Sequence, residues 1–283
     1  MINKGIAFII LATMSFSIMN LVAKDLSTLP AMQVVFFRAF GTFIFVFPYM
    51  LYKRISIIGN NPMLLSLRGM VGLISLATFF MAIQRMPLGS AISIRYLGPI
   101  FGAVLAYLFL KEKVNFMQWL SFGVAFLGVI VMKGVDLRID NYSFLLILAS
   151  ALFVGMVFAL IRYLGDKEHI FTIINYFMMI SIVGSLFSVP QWQWPLASQY
   201  FSVVSIGIFG LIGQVFMTRA FQLEEASVLA PFKYMELVFA LVFTYFIFGE
   251  TYKTIAFLGM FMIITGMLLN VFFKSKNKKE LDS

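Results

Sequence analysis

Long apolar runs, separated by short polar connectors, follow one another along almost the whole chain. Ten such runs can be distinguished, at residues 5–23, 31–52, 64–83, 91–110, 115–132, 143–163, 171–189, 198–219, 228–248 and 254–273. Each has about 18–23 residues, and a helix of that length crosses a hydrocarbon core of about 30 Å. The pattern therefore predicts ten transmembrane helices.

A self-similarity at a spacing of 138 residues divides these helices into two groups of five. Gly72-Leu73-Ile74 recurs as Gly210-Leu211-Ile212, Arg95-Tyr96 as Lys233-Tyr234, Glu112 as Glu250, and Gly128 as Gly266. The repeat predicts two copies of one unit, residues 1–135 and 136–283. Because five crossings are an odd number, the second copy is inverted relative to the first. The predicted fold is an all-α polytopic membrane protein with two inverted five-helix repeats around a central cavity, an architecture typical of secondary transporters.

Composition and charge agree with a membrane protein that has no soluble domain. Apolar residues make up 61% of the chain and charged residues only 12%, and the mean hydropathy is +0.97. The net charge of +9 follows the positive-inside rule, so we expect the lipid bilayer and no nucleic acid as a partner. The basic C-terminal tail, Lys274-Ser-Lys-Asn-Lys-Lys279, is expected to be a cytoplasmic topology anchor that also contacts anionic lipid. With the N-terminus in the cytoplasm, thirteen basic residues lie near the inner boundary and five near the outer. Both termini are therefore predicted to be cytoplasmic, in a cell inner membrane.

Charged side chains inside the predicted helices are the first candidates for a functional site, because a charge inside a bilayer is costly. They are Arg38, Arg95, Lys233 and Glu236. Arg95 and Lys233 are repeat mates, and two interpretations stay open for them: snorkelling to the headgroups, or contact with substrate. Glu236 is too deep and too short to reach water, so it needs a partner, either Lys233 or Arg38. It forms a buried ion pair, or it is a charge that senses substrate or a proton.

Uncharged polar groups at mid-depth complete the predicted substrate-binding set. They are Asn20, Tyr96, Gln214 and Tyr234. Prolines lie close to both tyrosines, and a proline inside a helix removes a backbone hydrogen bond and clashes with the preceding turn. We therefore predict helix breaks near Pro99 and Pro231, facing the cavity.

No enzyme motif is present in the sequence. There is no His-Glu-x-x-His, no Gly-x-Ser-x-Gly and no phosphate-binding P-loop. The chain also has no cysteine and one histidine, so we expect neither a metal site nor a cofactor. Without a P-loop, the predicted transport is secondary or facilitated.

Three stretches resemble EamA-type members of the drug/metabolite transporter superfamily. They are the fourth run, Tyr96-Leu-Gly-Pro-Ile-Phe-Gly-Ala-Val-Leu-Ala-Tyr-Leu-Phe-Leu-Lys-Glu112, its counterpart ending in Phe248-Gly-Glu250, and Phe36-Phe37-Arg38. The resemblance extends over about residues 5–273. It implies a basket of helices around the cavity, with the fifth and tenth helices peripheral and candidates for a homodimer interface. For Glu112 and Glu250 we expect a cap-like role at helix ends.

Members of that superfamily carry amino acids, nucleotide sugars, S-adenosylmethionine, vitamins and drugs, so the resemblance leaves the cargo open. The four intramembrane charges sum to +2, which favours a small-molecule substrate that carries a carboxylate or is zwitterionic. We expect a carrier with alternating access that moves a small amphipathic metabolite, an amino acid or a related compound. S-adenosylmethionine, nucleotide-sugar or drug-like cargo and a passive channel are the alternatives.

Overall fold

The computed structural model describes residues 4–110, 116–164, 167–223, 229 and 232–282. Helices account for most of these residues. They are α1 (Lys4–Asp25), α2 (Ala31–Tyr52), α3 (Pro62–Ile83), α4 (Leu88–Arg95), α5 (Gly98–Leu110), α6 (Phe116–Val135), α7 (Asn141–Leu164), α8 (Ile170–Leu186), α9 (Tyr200–Leu223), α10 (Met235–Phe248) and α11 (Thr254–Asp282). Single-turn 3₁₀ helices lie in the connectors at Leu26–Thr28, Val189–Gln191 and Ala197–Gln199. Glu112 and Pro231 lie outside the described residues.

The predicted membrane helices are present in this structure. Among the residues that the structure describes, eight helical stretches are long and apolar enough to cross a bilayer, with α4 and the start of α5 counted as one. Two shorter apolar helices, α8 and α10, complete the ten predicted segments. The all-helical fold follows because a backbone inside lipid must satisfy its own hydrogen bonds, which a helix does within one segment.

The fourth span is broken where the sequence predicts it. Helix α4 ends at Arg95 and α5 begins at Gly98, so Pro99 occupies the first turn of α5, where its missing N–H costs nothing. In the second repeat, a turn at Tyr234 precedes α10. Both fourth spans are therefore interrupted at repeat-matched tyrosines, Tyr96 and Tyr234.

Helix packing relates the two repeats in the way that a two-fold axis requires. Helix α1 packs on α9, the third helix of the second repeat, and α3 packs on α7, its first helix. The second helices α2 and α8 pack on each other, and so do α4 and α10. The last helices, α6 and α11, pack mainly against each other. Each helix of one repeat is thus supported by the other repeat, and the broken spans meet between the two halves.

Close helix contacts depend on glycine at specific crossings. At the α2–α9 crossing, a Cβ atom on Gly207 would lie 2.6 Å from the Cα atom of Gly41. At the α6–α11 crossing, a Cβ atom on Gly128 would lie 2.6 Å from the carbonyl oxygen of Gly259. Lipid gives helices no hydrophobic drive to associate, so close backbone approach supplies much of the attraction.

Candidate functional site

Glu236 lies in the first turn of α10, directly after the break at Tyr234. The positive end of the helix dipole favours a carboxylate at this position. Asn20 of α1 donates a hydrogen bond from Nδ2 to Oε1 of Glu236, at 3.0 Å. The hydroxyl of Tyr96 lies 3.2 Å from Oε2 of the same carboxylate. We call Asn20, Tyr96 and Glu236 the Glu236 cluster.

The Glu236 cluster keeps hydrogen-bonding capacity that the described residues do not use. A carboxylate offers about four lone-pair sites, and two of them face Asn20 and Tyr96. Oδ1 of Asn20 is buried and has no hydrogen-bond partner among the described residues. These acceptors suit a donor such as an ammonium group.

The breaks in the two fourth spans are tied together by side chains from the first repeat. The hydroxyl of Ser17 donates to the backbone carbonyl of Glu236 at 2.8 Å, and that of Tyr96 donates to the carbonyl of Lys233 at 2.9 Å. The rings of Tyr96 and Tyr234 meet edge to face, with centroids 5.0 Å apart. The Lys233 carbonyl precedes α10, where a backbone group needs a partner inside a membrane, and the Tyr96 hydroxyl supplies it.

The basic repeat mates Arg95 and Lys233 both act on Glu236. Each is within electrostatic range of the carboxylate. The Cζ atom of Arg95 lies 4.2 Å from the ring centroid of Phe79, which is fully buried, and its Nε atom is also buried. This placement favours an interior role for Arg95 over snorkelling to the headgroups.

Arg38 is not the hydrogen-bonding partner of Glu236. Its Nε atom instead donates to the sulfur of Met19, at 3.2 Å, and its guanidinium lies 5.4 Å from the ring centroid of Phe177. A second arginine, Arg68 of α3, lies over the same ring at 4.6 Å. We call Arg38, Arg68 and Phe177 the arginine subsite.

Gln214 is half-buried in α9 and makes no hydrogen bond to a described residue. Of the eight predicted residues, the structure brings five together around the Glu236 carboxylate, by hydrogen bonds or within electrostatic range: Asn20, Arg95, Tyr96, Lys233 and Glu236 itself. Tyr234 reaches this group through the Tyr96 ring, and Arg38 is within electrostatic range of Arg95.

Sequence reasoning missed Arg68 and Phe177. Arg68 lies near the start of the third run, so it counts as a cytoplasmic boundary charge in the topology tally. The structure buries it to 5% exposure, because α3 packs against both α7 and α8. Its position inside an apolar run was the available clue. Phe177 is one of 34 phenylalanines, and nothing in the sequence distinguishes it.

One end of the helix bundle is closed by a polar cluster. Lys24, in the last turn of α1, forms an ion pair with Glu250. The second carboxylate oxygen of Glu250 accepts from the backbone N–H of Leu88, at 3.2 Å, and from the hydroxyl of Tyr252, at 2.8 Å. Leu88 begins α4, so Glu250 has the expected cap-like role, but toward a helix of the other repeat. We call Lys24, Glu250 and Tyr252 the closing cluster.

The groups around the closing cluster have shifted proton affinities. Burial, and then the adjacent Glu250 carboxylate, raise the pKa of Tyr252 well above its usual value, so the hydroxyl keeps its proton. Burial alone would raise the pKa of Asp136, but hydrogen bonds from Arg138 outweigh burial and hold this pKa below its ordinary value. Asp136 also accepts from Ser90, at 3.3 Å. These bonds attach the start of α4 to the connector between the repeats.

Within the described part of the chain, no group of three or more His, Asp or Glu side chains is placed to hold a metal ion. The site consists of ionic and hydrogen-bonding side chains surrounded by aromatic rings. Such a set binds and orients a charged small molecule, and it offers no activated nucleophile.

Comparisons with known proteins point in one direction. The model of the "EamA-like transporter family" matches residues 3–133 and again residues 141–272. The Pseudopaline exporter CntI of Pseudomonas aeruginosa is 29% identical and is aligned over 95% of this chain and 96% of its own length. The S-adenosylmethionine uptake transporter of Rickettsia prowazekii is 25% identical, over 97% of this chain and 94% of its own.

Two further similarities extend the comparison. Human Solute carrier family 35 member G1 is 27% identical, over 87% of this chain and 73% of its own. A solved structure titled "Crystal structure of protein" superimposes with a TM-score of 0.68 at 13% identity, and covers 94% of this chain and 95% of its own. At that identity the structural match supports the fold alone.

Proposed function

Because the chain belongs to the EamA-like transporter family and is a multi-pass membrane transporter, we propose that it is a secondary carrier for a small amphipathic metabolite that bears a carboxylate. An amino acid or a related compound is the favoured cargo. The observation that carries this proposal is the Glu236 cluster together with Arg95 and Lys233, which lie within electrostatic range of its carboxylate at the breaks of both fourth spans.

The sign and placement of the charges favour a zwitterionic or anionic cargo. Four basic side chains lie within the membrane helices or at their breaks: Arg38, Arg68, Arg95 and Lys233. Glu236 is the acidic group beside Arg95 and Lys233. An organic cation would meet an excess of like charge, whereas an amino acid presents an ammonium group to Glu236 and a carboxylate to the arginines. The aromatic rings supply apolar contact for its side chain.

The packing of the repeats supports alternating access. Since one repeat is inverted relative to the other, equivalent ends of their helices lie at opposite ends of the bundle, and rocking one repeat against the other opens one end and closes the other. In this structure the closing cluster holds α1, α4 and the connector after α10 together. Breaking these contacts is the proposed first step of opening at that end.

We also propose that the protein lies in a cell inner membrane with both termini in the cytoplasm. The support is the tally of thirteen basic residues at one boundary against five at the other. In this orientation the closing cluster faces the outside, and the structure corresponds to a state closed toward the outside.

S-adenosylmethionine is a second candidate cargo, because the Rickettsia prowazekii relative is named as its uptake transporter. It carries an amino-acid group with the same ammonium and carboxylate, so it fits the same two charged poles. Its sulfonium cation would add positive charge near the basic side chains, which makes it the less favoured cargo.

The experiment is counterflow in proteoliposomes with a panel of labelled amino acids and S-adenosylmethionine. A carrier exchanges label against unlabelled internal substrate and saturates, and Glu236→Gln should reduce that exchange. Lys253→Gln, which removes an exposed charge in a connector, serves as the control and should match the wild type. Label that enters without saturation or exchange would indicate a channel, and no exchange with any member of the panel would refute the proposed cargo class.

A further inference from the structure

The arginine subsite contains buried donors that the protein leaves unused. Arg38 and Arg68 are each 5% exposed. Nη1 of Arg38, and both Nε and Nη1 of Arg68, are buried without a hydrogen-bond partner among the described residues. Neither guanidinium forms an ion pair with a described Asp or Glu. A guanidinium cannot escape this cost by losing its proton, so it needs an anion.

The Phe177 ring, which contacts both arginines, offsets only part of the cost of burying their charges. Phe177 offers a cation–π contact to each guanidinium, and such a contact leaves the in-plane N–H donors free. Both sets of donors start from guanidinium carbons that lie within 5.4 Å of one ring centroid. One small anion beside the ring is therefore within reach of both arginines, since the planar fork of arginine matches a carboxylate in bidentate geometry.

The repeat shows that the fold itself does not require the arginine subsite. At the 138-residue spacing, Arg38 corresponds to Tyr176, Arg68 to Ile206 and Phe177 to Ala39. The glycines beside the arginines do match. A Cβ atom on Gly72 would lie 3.3 Å from Nη1 of Arg68, and a Cβ atom on Gly210 would lie 3.5 Å from Cγ of Arg38. The two repeat-matched glycines thus leave space beside both arginines. The residues that correspond to the arginines in the other repeat, Tyr176 and Ile206, carry no charge.

We propose that Arg38 and Arg68 bind a carboxylate of the cargo beside Phe177, while its ammonium group is held by the Glu236 cluster. This assignment rests on the proposed carrier function. Adjacent residues of α1 link the two poles: Met19 accepts from Arg38, and Asn20 donates to Glu236. The anion is assigned as a carboxylate because that is the anionic group of the proposed cargo, and its two oxygens match the planar fork of an arginine.

The experiment tests the binding of the carboxylate and of the ammonium group of one cargo separately. L-phenylalanine, 3-phenylpropanoate and 2-phenylethylamine share an aromatic body and carry both charges, the carboxylate alone, or the ammonium alone. Their binding to the purified full-length protein is measured by thermal shift, because a ligand that binds the folded form raises its melting temperature. Inorganic phosphate is the fourth probe.

For Arg68→Gln we expect the half-saturating concentrations of L-phenylalanine and 3-phenylpropanoate to rise about tenfold, the loss expected for a charged hydrogen bond. That of 2-phenylethylamine should not change. Glu236→Gln should weaken the binding of the two ligands that contain an ammonium group, L-phenylalanine and 2-phenylethylamine. It should leave the binding of 3-phenylpropanoate unchanged. Arg68→Lys keeps the charge but loses the fork, so it should give an intermediate loss.

Stability without ligand gives an independent readout. If Arg68 serves the cargo, Arg68→Gln should melt at the same temperature as the wild type or higher, because it removes an unpaired buried charge. A lower melting temperature with unchanged binding of all probes would make Arg68 structural and overturn the proposal. Stronger stabilisation by phosphate than by 3-phenylpropanoate would overturn the carboxylate assignment. If the wild type shows counterflow and both Arg68→Gln and Arg68→Lys leave it intact, the arginine subsite alone is refuted. If the wild type shows no exchange with any member of the panel, the proposed cargo class is refuted as well.

Discussion

Replacement of Gly207 by alanine tests a close backbone contact between the two repeats, at the crossing of α2 and α9. A Cβ atom on Gly207 would lie 2.6 Å from the Cα atom of Gly41 and 2.8 Å from its carbonyl carbon, both of them backbone atoms of α2. Ordinary van der Waals contacts of a Cβ atom begin at 3.4 Å. Because no flexible side chain can yield, α2 and α9 must separate by roughly 0.8 Å at this crossing.

Two opposing effects set the size of the change in stability. Alanine in place of a helical glycine stabilises by about 0.5–1 kcal/mol, whereas overpacking costs about 1–3 kcal/mol. The net expectation for Gly207→Ala is a destabilisation of about 1–2 kcal/mol, or roughly 2–8 °C in melting temperature. Gly123→Ala on α6 is the matched control, because its Cβ atom would meet nothing within 4 Å. This control should raise the melting temperature.

The same substitution should also change function. Arg38 lies one turn from Gly41 on α2, and Gly210, one turn from Gly207 on α9, adjoins Arg38. Separation of the helices therefore moves Arg38 away from its position beside Phe177, and the half-saturating concentration of the cargo should rise. Thermal melting and counterflow of the purified variants check both effects. A melting temperature that rises equally in Gly207→Ala and Gly123→Ala would refute the reasoning.

Three further outcomes are expected. Glu236→Gln should remove the part of any pH dependence of uptake that arises from this carboxylate, because an amide does not titrate; a profile like that of the wild type would rule out proton coupling through this residue. Glu250→Gln should weaken the closing cluster and so expose the start of α4. A cysteine introduced by Ser90→Cys, in a chain without other cysteines, should then react faster with an impermeant maleimide; an unchanged rate would show that the Glu250 carboxylate does not keep this end closed. Hydrogen bonds from Arg138 outweigh burial and lower the pKa of Asp136, so the stabilisation that this carboxylate gives is present above the ordinary carboxyl pKa and is lost as the pH falls through the lowered pKa. In Asp136→Asn, the melting temperature should therefore depend less on pH in that acidic range.

The membrane helices were the most predictable part of the molecule. The second run predicts residues 31–52, and α2 spans Ala31–Tyr52. The prediction works because a bilayer imposes both a length and an apolar composition on each span. The fourth spans were less predictable in detail. Residues 228–248 suggest one helix with Glu236 deep inside it, whereas the turn at Tyr234 places Glu236 in the first turn of α10.

The candidate site was predictable only as a set of residues. Asn20 and Glu236 stand out as polar groups in apolar runs, and the structure joins them at 3.0 Å. Their pairing spans 216 positions of the chain, so no local pattern specifies it. For Arg38, the sequence offers a partner of opposite charge, Glu236, whereas helix packing gives it Met19 and Phe177.

By itself, the sequence determined that this is a ten-segment membrane protein with two related halves. Those features depend on composition, period and length, which are local or repeating properties of the chain. Tertiary structure decided which charges meet. Arg68 is a boundary residue by sequence and becomes part of a buried pair with Arg38, because α3 and α2 both pack against α8. Desolvation arises only when helices assemble, so the burial of these two charges without an acidic partner among the described residues is a property of the packed bundle.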